Sequence, residues 1–326
     1  MELARQRKLA ITAYFVYLAA FYMILIFEIE PILSHVSVFG LIGNLLTFPM
    51  YRTGLRVHPG ERRWPWIFFA MTGACYFMGE LLWAYNATFL GKPPDVISLC
   101  NAFYLANSYM CCCAFVCYMQ QIENLDFARV FFDICISVIA IGDLLYRFII
   151  MPLLRDNSVS LAEMAMHANM SVIDLALFAG ILIIIFGTAR KRFSTRRTML
   201  LGLSFFCCCF VEQLSLAITV YELPHAELFD PLWTLPFWLF ALTSMYPDED
   251  ETDEAEVEAF HQRWGGLLNR TCRWLPYILA AVMLLLLGPG AATRDPALFC
   301  VLIFVAFRVF KRLSAGAVEQ KEAACE

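Results

Sequence analysis

The sequence predicts an all-α fold: a polytopic membrane helix bundle with about ten transmembrane helices and a parallel internal repeat. The composition is 60% hydrophobic and only 16% charged, with a mean hydropathy of +0.64, whereas soluble domains are about 25% charged. Several apolar segments approach the roughly 20 residues that a spanning helix needs. Basic residues also cluster between alternate segments, as expected for a chain that crosses a bilayer repeatedly.

The predicted spans are separated by polar residues or by Gly and Pro. The last two spans are the shortest. In chain order, the predicted spans are Leu9–Phe27, Pro31–Met50, Pro65–Leu90, Val96–Met119, Ala128–Ile150, Leu161–Phe186, Thr198–Tyr221, Leu228–Ser244, Trp274–Leu287 and Ala297–Phe310.

The basic residues set the predicted orientation, because cytoplasmic loops carry an excess of Lys and Arg. With the N-terminus inside, all but four of the 24 basic residues fall on inner segments. The four on outer segments are Lys92, Arg147, Arg155 and Arg294. The sequence therefore predicts a multi-pass protein of the cell (inner) membrane with both termini cytoplasmic.

The polar segments fit this topology. The N-terminus has the basic head of a signal peptide, but its apolar run is long and lacks a small-residue cleavage site, which favours a first membrane anchor. The bundle is predicted over residues 1–312, with a short cytoplasmic tail at 313–326. The acidic run 247–263 is predicted to be a solvated inner loop. A docking site for a basic partner is the alternative.

Thirteen cysteines, including the runs 111–113 and 207–209, suggest either close helix packing or a metal, haem or redox site. Adjacent helical residues point about 100° apart, so three consecutive thiols cannot converge on one ion. Cys113 and Cys117 share a helix face, which leaves a thiolate site with the second run as an alternative. Small, weakly polar cysteines suit packing in lipid. The sequence favours packing and predicts neither metal nor cofactor.

Ionisable residues within the spans mark a candidate site, because a charge at the bilayer centre costs at least ~2.5 kcal/mol on insertion scales. Glu80, Asp143 and Glu212 each lie about fifteen residues from the inner end of their spans, and so at similar depth. Each residue alone has a simpler interpretation, a buried group paired with a neighbouring helix. Together they predict a polar cavity that faces outward.

The sixth span adds Glu163, His167 and Asp174, which form a stripe along one helix face. Glu163 is near the interface and is expected to be solvated. The predicted ligand-binding residues are Glu80, Trp83, Asp143, His167, Asp174 and Glu212, with Asn101, Tyr104, Asp230 and Trp233 as secondary candidates.

An internal repeat relates residues 65–122 to residues 198–246. Placing Glu80 on Glu212 brings Asn101–Tyr104 near Asp230–Trp233, and both pairs of spans run outward and then inward. The two pairs would therefore be related by an axis along the membrane normal. Asp230 has an alternative role, since Asp before Pro is a common helix N-cap.

The same residues carry a family resemblance. Gly79-Glu80-x-x-Trp83, the loop Pro93-Pro94 and Ser98-x-x-Asn101-x-x-Tyr104-Leu105 follow the order G-[DE]-x-x-W, Pro-containing loop, S-x-x-D-x-x-Y-L. This order is similar to that of the multi-span N-terminal membrane regions of bacterial cyclic-di-GMP signalling proteins, which precede GGDEF or EAL domains. Later matches are the segment from Asp133 to Pro152, Asp174, and Asp230-x-x-Trp233. The resemblance covers residues 9–312 and implies a sensory or anchoring input module.

The sequence differs from that family after the last span, where it reaches Glu326 without a GGDEF, EAL or kinase motif. We therefore expect no nucleotide cyclase or phosphodiesterase activity. The predicted function is a membrane sensory module that binds a small or lipid-phase ligand and couples to a cytoplasmic partner through 247–263 or the tail. The expected partners also include the lipid bilayer and a second copy of the chain, but not nucleic acid.

Two other functions are weighed against the sensory module. A transporter or proton-coupled permease is the alternative, suggested by the repeat and the membrane carboxylates. A membrane-embedded enzyme is less favoured, because the sequence has no H-E-x-x-H or G-x-S-x-G motif.

Overall fold

The part of the chain that the computed structural model describes is helical, which confirms the all-α class for that part. The acidic run from 248 onward and the C-terminal tail lie outside the described residues. The described residues are 2–27, 36–92, 94, 98–121, 127–155, 160–188, 196–221, 226–247, 266–287, 295–306 and 309.

Shorter helical segments of other types lie between or at the ends of the α-helices. Gly60–Arg63 and Ala226–Thr234 are 3₁₀ segments, and Asn86–Leu90 and Tyr146–Ile150 are π turns that extend the preceding helices. The α-helices are α1 (Glu2–Ile26), α2 (Val36–Leu45), α3 (Phe48–Val57), α4 (Trp64–Tyr85), α5 (Leu99–Gln120), α6 (Phe127–Leu145), α7 (Met151–Arg155), α8 (Leu161–Thr188), α9 (Arg196–Tyr221), α10 (Leu235–Ser244), α11 (Gly266–Leu287) and α12 (Pro296–Ala306).

Five helical segments in the described part are long and apolar enough to cross a membrane, which indicates a multi-pass membrane protein. They correspond to the first, third, fourth, sixth and seventh predicted spans. Apolar stretches of α11 and α12 are shorter. The five segments are Glu2–Ile26, Gly60–Leu90, Leu99–Gln120, Met164–Leu182 and Arg197–Ile218.

The second predicted span is two short helices rather than one long one. α2 ends at Leu45 and α3 begins at Phe48. Pro49 has no backbone N–H to donate to the Leu45 carbonyl, so the first helix cannot continue through it. The Thr47 hydroxyl donates to the Asn44 carbonyl at 2.7 Å and closes the turn between them.

The eighth predicted span is also interrupted. Its first half is the 3₁₀ segment Ala226–Thr234, which contains Pro231, and its second half is the ten-residue α10. Pro236 is in the first turn of α10, where a missing N–H costs little. The Thr234 hydroxyl donates to the Pro231 carbonyl at 2.9 Å at the junction.

The helix ends that the sequence predicts to be cytoplasmic meet one another. The side chains lie on α1 and α9 or directly after α3 and α5. Their partners lie in the segment before α4, at the end of α10 and just after α10. These contacts are Arg7 Cζ over the Tyr246 ring (4.2 Å), His58 Nε2 with the Ser244 carbonyl (2.9 Å), Gln121 Nε2 to the Glu61 carbonyl (3.3 Å) and Arg197 Nη1 to the Pro247 carbonyl (3.2 Å).

The opposite ends also make contacts. The Tyr22 hydroxyl donates to the Leu228 carbonyl at 3.2 Å, and the Tyr221 hydroxyl donates to the Phe148 carbonyl at 2.6 Å. Each pair joins two ends that the sequence predicts to lie outside. These two contacts therefore lie among helix ends that the sequence predicts to be on the same side.

The main core lies where α1, α3, α4, α5, α8, α9 and α10 meet. Phe69 stacks on Phe240 with ring centroids 4.5 Å apart, and Phe205 meets both rings edge-on. Such aromatic pairs add about 0.5–1.5 kcal/mol beyond their buried area. A second core joins α6, α11 and α12, and Ile134 with Leu182 links α6 to α8.

We predict that Gly54→Ala destabilises the fold. A Cβ at Gly54 would lie 2.1 Å from Ser244 Oγ and 2.8 Å from the Ser244 carbonyl oxygen, so α3 and α10 would have to separate. Overpacking of this kind costs about 1–3 kcal/mol, which thermal unfolding in detergent would detect as a lower Tm. The matched control is Gly73→Ala, where the new Cβ would meet Tyr51 at an ordinary 3.4 Å. Equal Tm values for the two variants would contradict close packing of α3 on α10.

Candidate functional site

One cavity of about 570 Å³ gathers the predicted site residues, all except Asp143. Its wall comes from α1, α2, α4, α5, α8, α9 and the 3₁₀ segment before α10. The volume is within the range of small-molecule sites, about 300–1,000 Å³. The lining residues are Tyr17, Phe21, Gly40, Tyr76, Glu80, Trp83, Asn101, Tyr104, Met166, His167, Met170, Ser171, Asp174, Glu212, Gln213, Ser215, Leu216, Asp230 and Trp233.

Glu80 on α4 is held by two tyrosine hydroxyls. Tyr104 on α5 donates to Glu80 Oε1 at 2.8 Å, and Tyr76, one turn earlier on α4, also hydrogen-bonds to the carboxylate. The other oxygen, Oε2, lies 3.3 Å from the position a Cβ would take at Gly40 on α2. Glycine at position 40 therefore leaves room for the carboxylate between α2 and α4.

Gly79 allows Tyr104 to reach Glu80. A Cβ at Gly79 would lie 2.6 Å from the Tyr104 ring, so the ring packs directly on the α4 backbone. Cys100 Sγ donates to the Gly79 carbonyl at 3.2 Å and holds the start of α5 at the same place. The sequence Gly79-Glu80 thus has a local physical reason. Gly79 leaves space for the Tyr104 ring, and Glu80 accepts a hydrogen bond from the Tyr104 hydroxyl.

The start of α5 is fixed by a cap. The Ser98 hydroxyl accepts a hydrogen bond from the Asn101 backbone N–H at 3.3 Å, which satisfies one of the free amides of the first turn. Residues 101 and 104 then lie one turn apart, and both line the cavity. In the S-x-x-N-x-x-Y pattern, the serine is a structural cap, and the asparagine and tyrosine are cavity residues.

Asp174 and Glu212 face each other from α8 and α9. Asp174 is 6% exposed, and Gln213 Nε2 donates to its Oδ2 at 2.7 Å. Glu212 lies close enough to Asp174 for the two side chains to interact electrostatically. Cys209 Sγ also donates to the Asp174 backbone carbonyl at 3.4 Å. The two helices therefore present a pair of acidic groups to the cavity.

Asp230 lies within the 3₁₀ segment Ala226–Thr234 and lines the cavity together with Trp233. The interpretation of Asp230 as an α-helix N-cap is wrong, because α10 begins only at Leu235 and its N-cap position is Thr234. Pro231 is instead accommodated inside the 3₁₀ turn, and Asp230 adds a fourth carboxyl group to the wall.

The stripe on α8 is only partly described. His167 and Asp174 both line the cavity, as the helical spacing predicts. The side chain of Glu163 lies outside the described residues. Ser171, between the two, is 9% exposed, and its buried Oγ has no hydrogen-bond partner in the described part of the chain.

Asp143 does not line the cavity. Its Oδ2 accepts from Arg147 Nε at 2.7 Å, and the same guanidinium pairs with Asp295. Asp295 Oδ1 also caps α12 by accepting from the Ala297 and Leu298 amides at 2.9 and 3.1 Å. Placing Asp143 with the cluster on depth alone was therefore wrong, since depth does not determine which way a helix face points. In the sequence, the i,i+4 spacing of Asp143 and Arg147 is the pattern that predicts their ion pair.

Several lining residues were not predicted from the sequence. Tyr17 and Phe21 on α1 belong to an aromatic stripe that begins at Tyr14, with the i, i+3, i+7 spacing of one helix face. Tyr76 lies one turn before Glu80, and Gln213 directly follows Glu212. Helical spacing from Glu80 would have found Tyr76, whereas the contributions of α1 and Gln213 depend on how the helices pack.

The cysteine runs lie mainly in helix packing. Cys111 is 1% exposed and interacts with Cys208 across the α5–α9 contact, whereas Cys113 is exposed. Cys113 thus does not take part in the buried packing that holds Cys111. No group of three His, Cys, Asp or Glu side chains that could hold a metal ion occurs among the described residues.

We predict that Arg147→Gln lowers the stability of the chain. Asp143 and Asp295, only 10% and 4% exposed, would lose their shared counterion. Because Arg147 itself is 37% exposed, we expect a loss of about 1–3 kcal/mol, below that of a fully buried pair. Thermal unfolding in detergent is the measurement. Arg147→Lys, which keeps the charge, should lose less. An unchanged Tm in Arg147→Gln would mean that the ion pair does not hold α6 to α12.

Comparisons of the chain with protein-family models, with curated proteins and with solved structures found no match. The resemblance to the membrane regions of cyclic-di-GMP signalling proteins therefore stays a prediction. The geometry of the cavity is the basis for a functional proposal.

Proposed function

We propose that the protein is an integral membrane sensory input module that binds a small or lipid-phase ligand in the cavity and passes a helix movement to a cytoplasmic partner. The main support is the convergence of Glu80, Asp174 and Glu212, with His167 and Asp230, on one cavity between helices long enough to span a membrane. Intramembrane ionisable groups usually mark ligand, ion or proton sites.

The arrangement of helices supports signalling. A ligand can shift a conformational equilibrium only if it binds the two arrangements differently. Here the cavity wall comes from seven separate elements, and a ligand that contacts α4, α5, α8 and α9 at once depends on their relative positions. Two of these helices, α5 and α9, also lead to contacts at the predicted inner end: Gln121 to the Glu61 carbonyl and Arg197 to the Pro247 carbonyl.

The proposed topology has both termini in the cytoplasm of a cell with an inner membrane, about ten spans and the parallel repeat. Support for the repeat comes from the residues that it pairs: Glu80 with Glu212, and Tyr104 with Trp233, all of which line the cavity. The interrupted second and eighth spans would cross the bilayer as paired short segments. The proposed output partner binds 247–263 or the tail, and a homodimer would bring two such surfaces together.

A transporter is the second candidate. The observation that favours it is the interruption of two elements beside the cavity: α2 ends at Leu45, and the 3₁₀ segment passes into α10 at Leu235. Discontinuous helices next to a binding site are typical of secondary transporters. An enzyme is not proposed, because no nucleophile, base and oxyanion-donor set is evident among the lining residues.

We predict that Glu80→Gln and Glu212→Gln each weaken ligand binding without preventing membrane insertion. Removing a carboxylate that contacts the ligand costs about 1.5–3 kcal/mol, or roughly tenfold or more in Kd. The measurement is a thermal-shift screen of a metabolite library on the purified chain, followed by titration of each hit. Asp143→Asn is the matched control, since it makes the same chemical change outside the cavity. Hits that bind both glutamine variants like the parent would exclude this cavity as the site.

Flux measurements separate the two candidates. For a sensor, we expect sealed vesicles that carry the chain to show no uptake of a hit and no proton movement. The same hit should alter hydrogen exchange at the inner helix ends near His58, Gln121 and Arg197. Uptake or proton flux that is lost in Glu80→Gln would instead establish transport.

A further inference from the structure

We propose that the ligand of this cavity is a protonated organic amine with an apolar or aromatic body. The proposal rests on the proposed function, because it requires that the cavity binds a small molecule. Three independent features of the wall support it: its charge, its unpartnered polar atoms and its aromatic side chains.

Among the described residues that line the cavity, the wall is mainly acidic and holds neither lysine nor arginine, with His167 as its basic side chain. Its four carboxyl groups are those of Glu80, Asp174, Glu212 and Asp230. Within the described part of the chain, Glu80 receives hydrogen bonds only from tyrosine hydroxyls, and Asp174 receives a side-chain hydrogen bond only from the Gln213 amide. These donors are neutral, so they orient the carboxyl groups but supply no positive charge. Because an isolated buried carboxylate is costly, the ionised form needs a cation beside it, and a protonated amine would supply that cation.

Two other buried carboxylates in the chain are paired with a permanent positive charge. Asp143 and Asp295 share the guanidinium of Arg147. Of the described carboxylates, Glu80, Asp174 and Glu212 have no such partner, although they lie in the part of the chain where an uncompensated charge is costly. These cavity carboxyl groups therefore differ from the structural ion pair, because no guanidinium in the described part of the chain occupies the place that a bound cation would take.

Two unpartnered polar atoms point to a ligand with N–H groups. Ser171 is 9% exposed, lines the cavity, and its Oγ has no partner among the described residues. Gln213 Oε1 is likewise buried and without a partner there, while its Nε2 is occupied by Asp174. A buried acceptor without a donor costs about 1–3 kcal/mol. Both atoms can accept a hydrogen bond, which matches the N–H groups of a protonated amine better than a quaternary ammonium.

Aromatic side chains complete the site. Tyr76 and Tyr104 flank Glu80, their rings tilted with centroids 5.7 Å apart. Trp83, 36% exposed, and Trp233 add the ring type that binds cations best. Phe21, Met166, Met170 and Leu216 provide apolar surface for the body of the ligand. The described side chains contain no three-ligand metal group, so an inorganic divalent cation fits less well.

The test uses probes with matched apolar bodies and head groups of different charge. The amines are 2-phenylethylamine, tryptamine and hexylamine; the neutral counterparts are the corresponding alcohols, and phenylacetate and indole-3-acetate are the anions. Binding to the full chain in detergent is measured by thermal shift and by titration calorimetry. We expect at least one amine to bind about tenfold or more tightly than its alcohol, the difference expected for a desolvated cation–π and carboxylate site.

Variants assign the binding to the cavity. Asp174→Asn, Glu212→Gln and Trp233→Leu should each lose most of the preference for the amine over the alcohol, whereas Asp143→Asn should keep it. Amine binding that survives all three cavity variants would overturn the proposal, and so would alcohols or anions that bind as tightly as the amines.

The outcomes also separate this proposal from the proposed function. If an alcohol or an anion binds and the binding is lost in Trp233→Leu, the cavity is a ligand site and only its charge preference is wrong. If no probe of any charge binds, the amine proposal is wrong, and the library screen on Glu80→Gln and Glu212→Gln then decides whether the cavity binds another ligand class.

Discussion

The structure depends on how a helix bundle in lipid satisfies its polar groups. Lipid offers neither hydrogen bonds nor counterions, so each polar group within the spans must find a partner on its own helix, on a neighbouring helix or in a cavity. Two different solutions occur in this chain. At Arg147, one guanidinium joins Asp143 on its own helix to the cap of α12. At Glu80 and Asp174, neutral donors hold carboxylates at the wall of an open space.

Small residues allow the second solution, because they let helices approach closely where the hydrophobic effect offers little attraction. Gly79 receives the Tyr104 ring, Gly40 leaves room for Glu80, and Gly43 accepts Trp238 Nε1 at its carbonyl, at 2.8 Å. Gly54 lies against Ser244 in the same way. These contacts bring α2 and α5 against α4, and α10 against α2 and α3, and so they contribute to the shape of the cavity as well as to the stability of the bundle.

Much of the site was predictable from the sequence because an α-helix advances regularly along the chain. Counting residues from the inner ends placed Glu80 and Glu212 at one depth, and the stripe on α8 added His167 and Asp174. Depth does not determine the direction of a side chain, and Asp143 was misplaced for that reason. The sequence also contains a signal for the changes of helix at Pro49 and Pro236, because proline has no N–H to donate to the preceding turn. The continuous hydropathy of these segments favoured the prediction of a single span instead. The contribution of α1 depends on tertiary packing that no local pattern shows.

The position of the two glutamates along their helices has a mechanical consequence. Glu80 lies sixteen residues from the start of α4 at Trp64, and Glu212 lies sixteen from the start of α9 at Arg196. At 1.5 Å per residue, each helix is a lever of about 24 Å between the cavity and the end of the bundle that the sequence predicts to be cytoplasmic. A tilt of about 5° at either glutamate would displace the far end by roughly 2 Å. That distance is enough to separate Arg197 from the Pro247 carbonyl, now 3.2 Å away, at the residue where the acidic run begins.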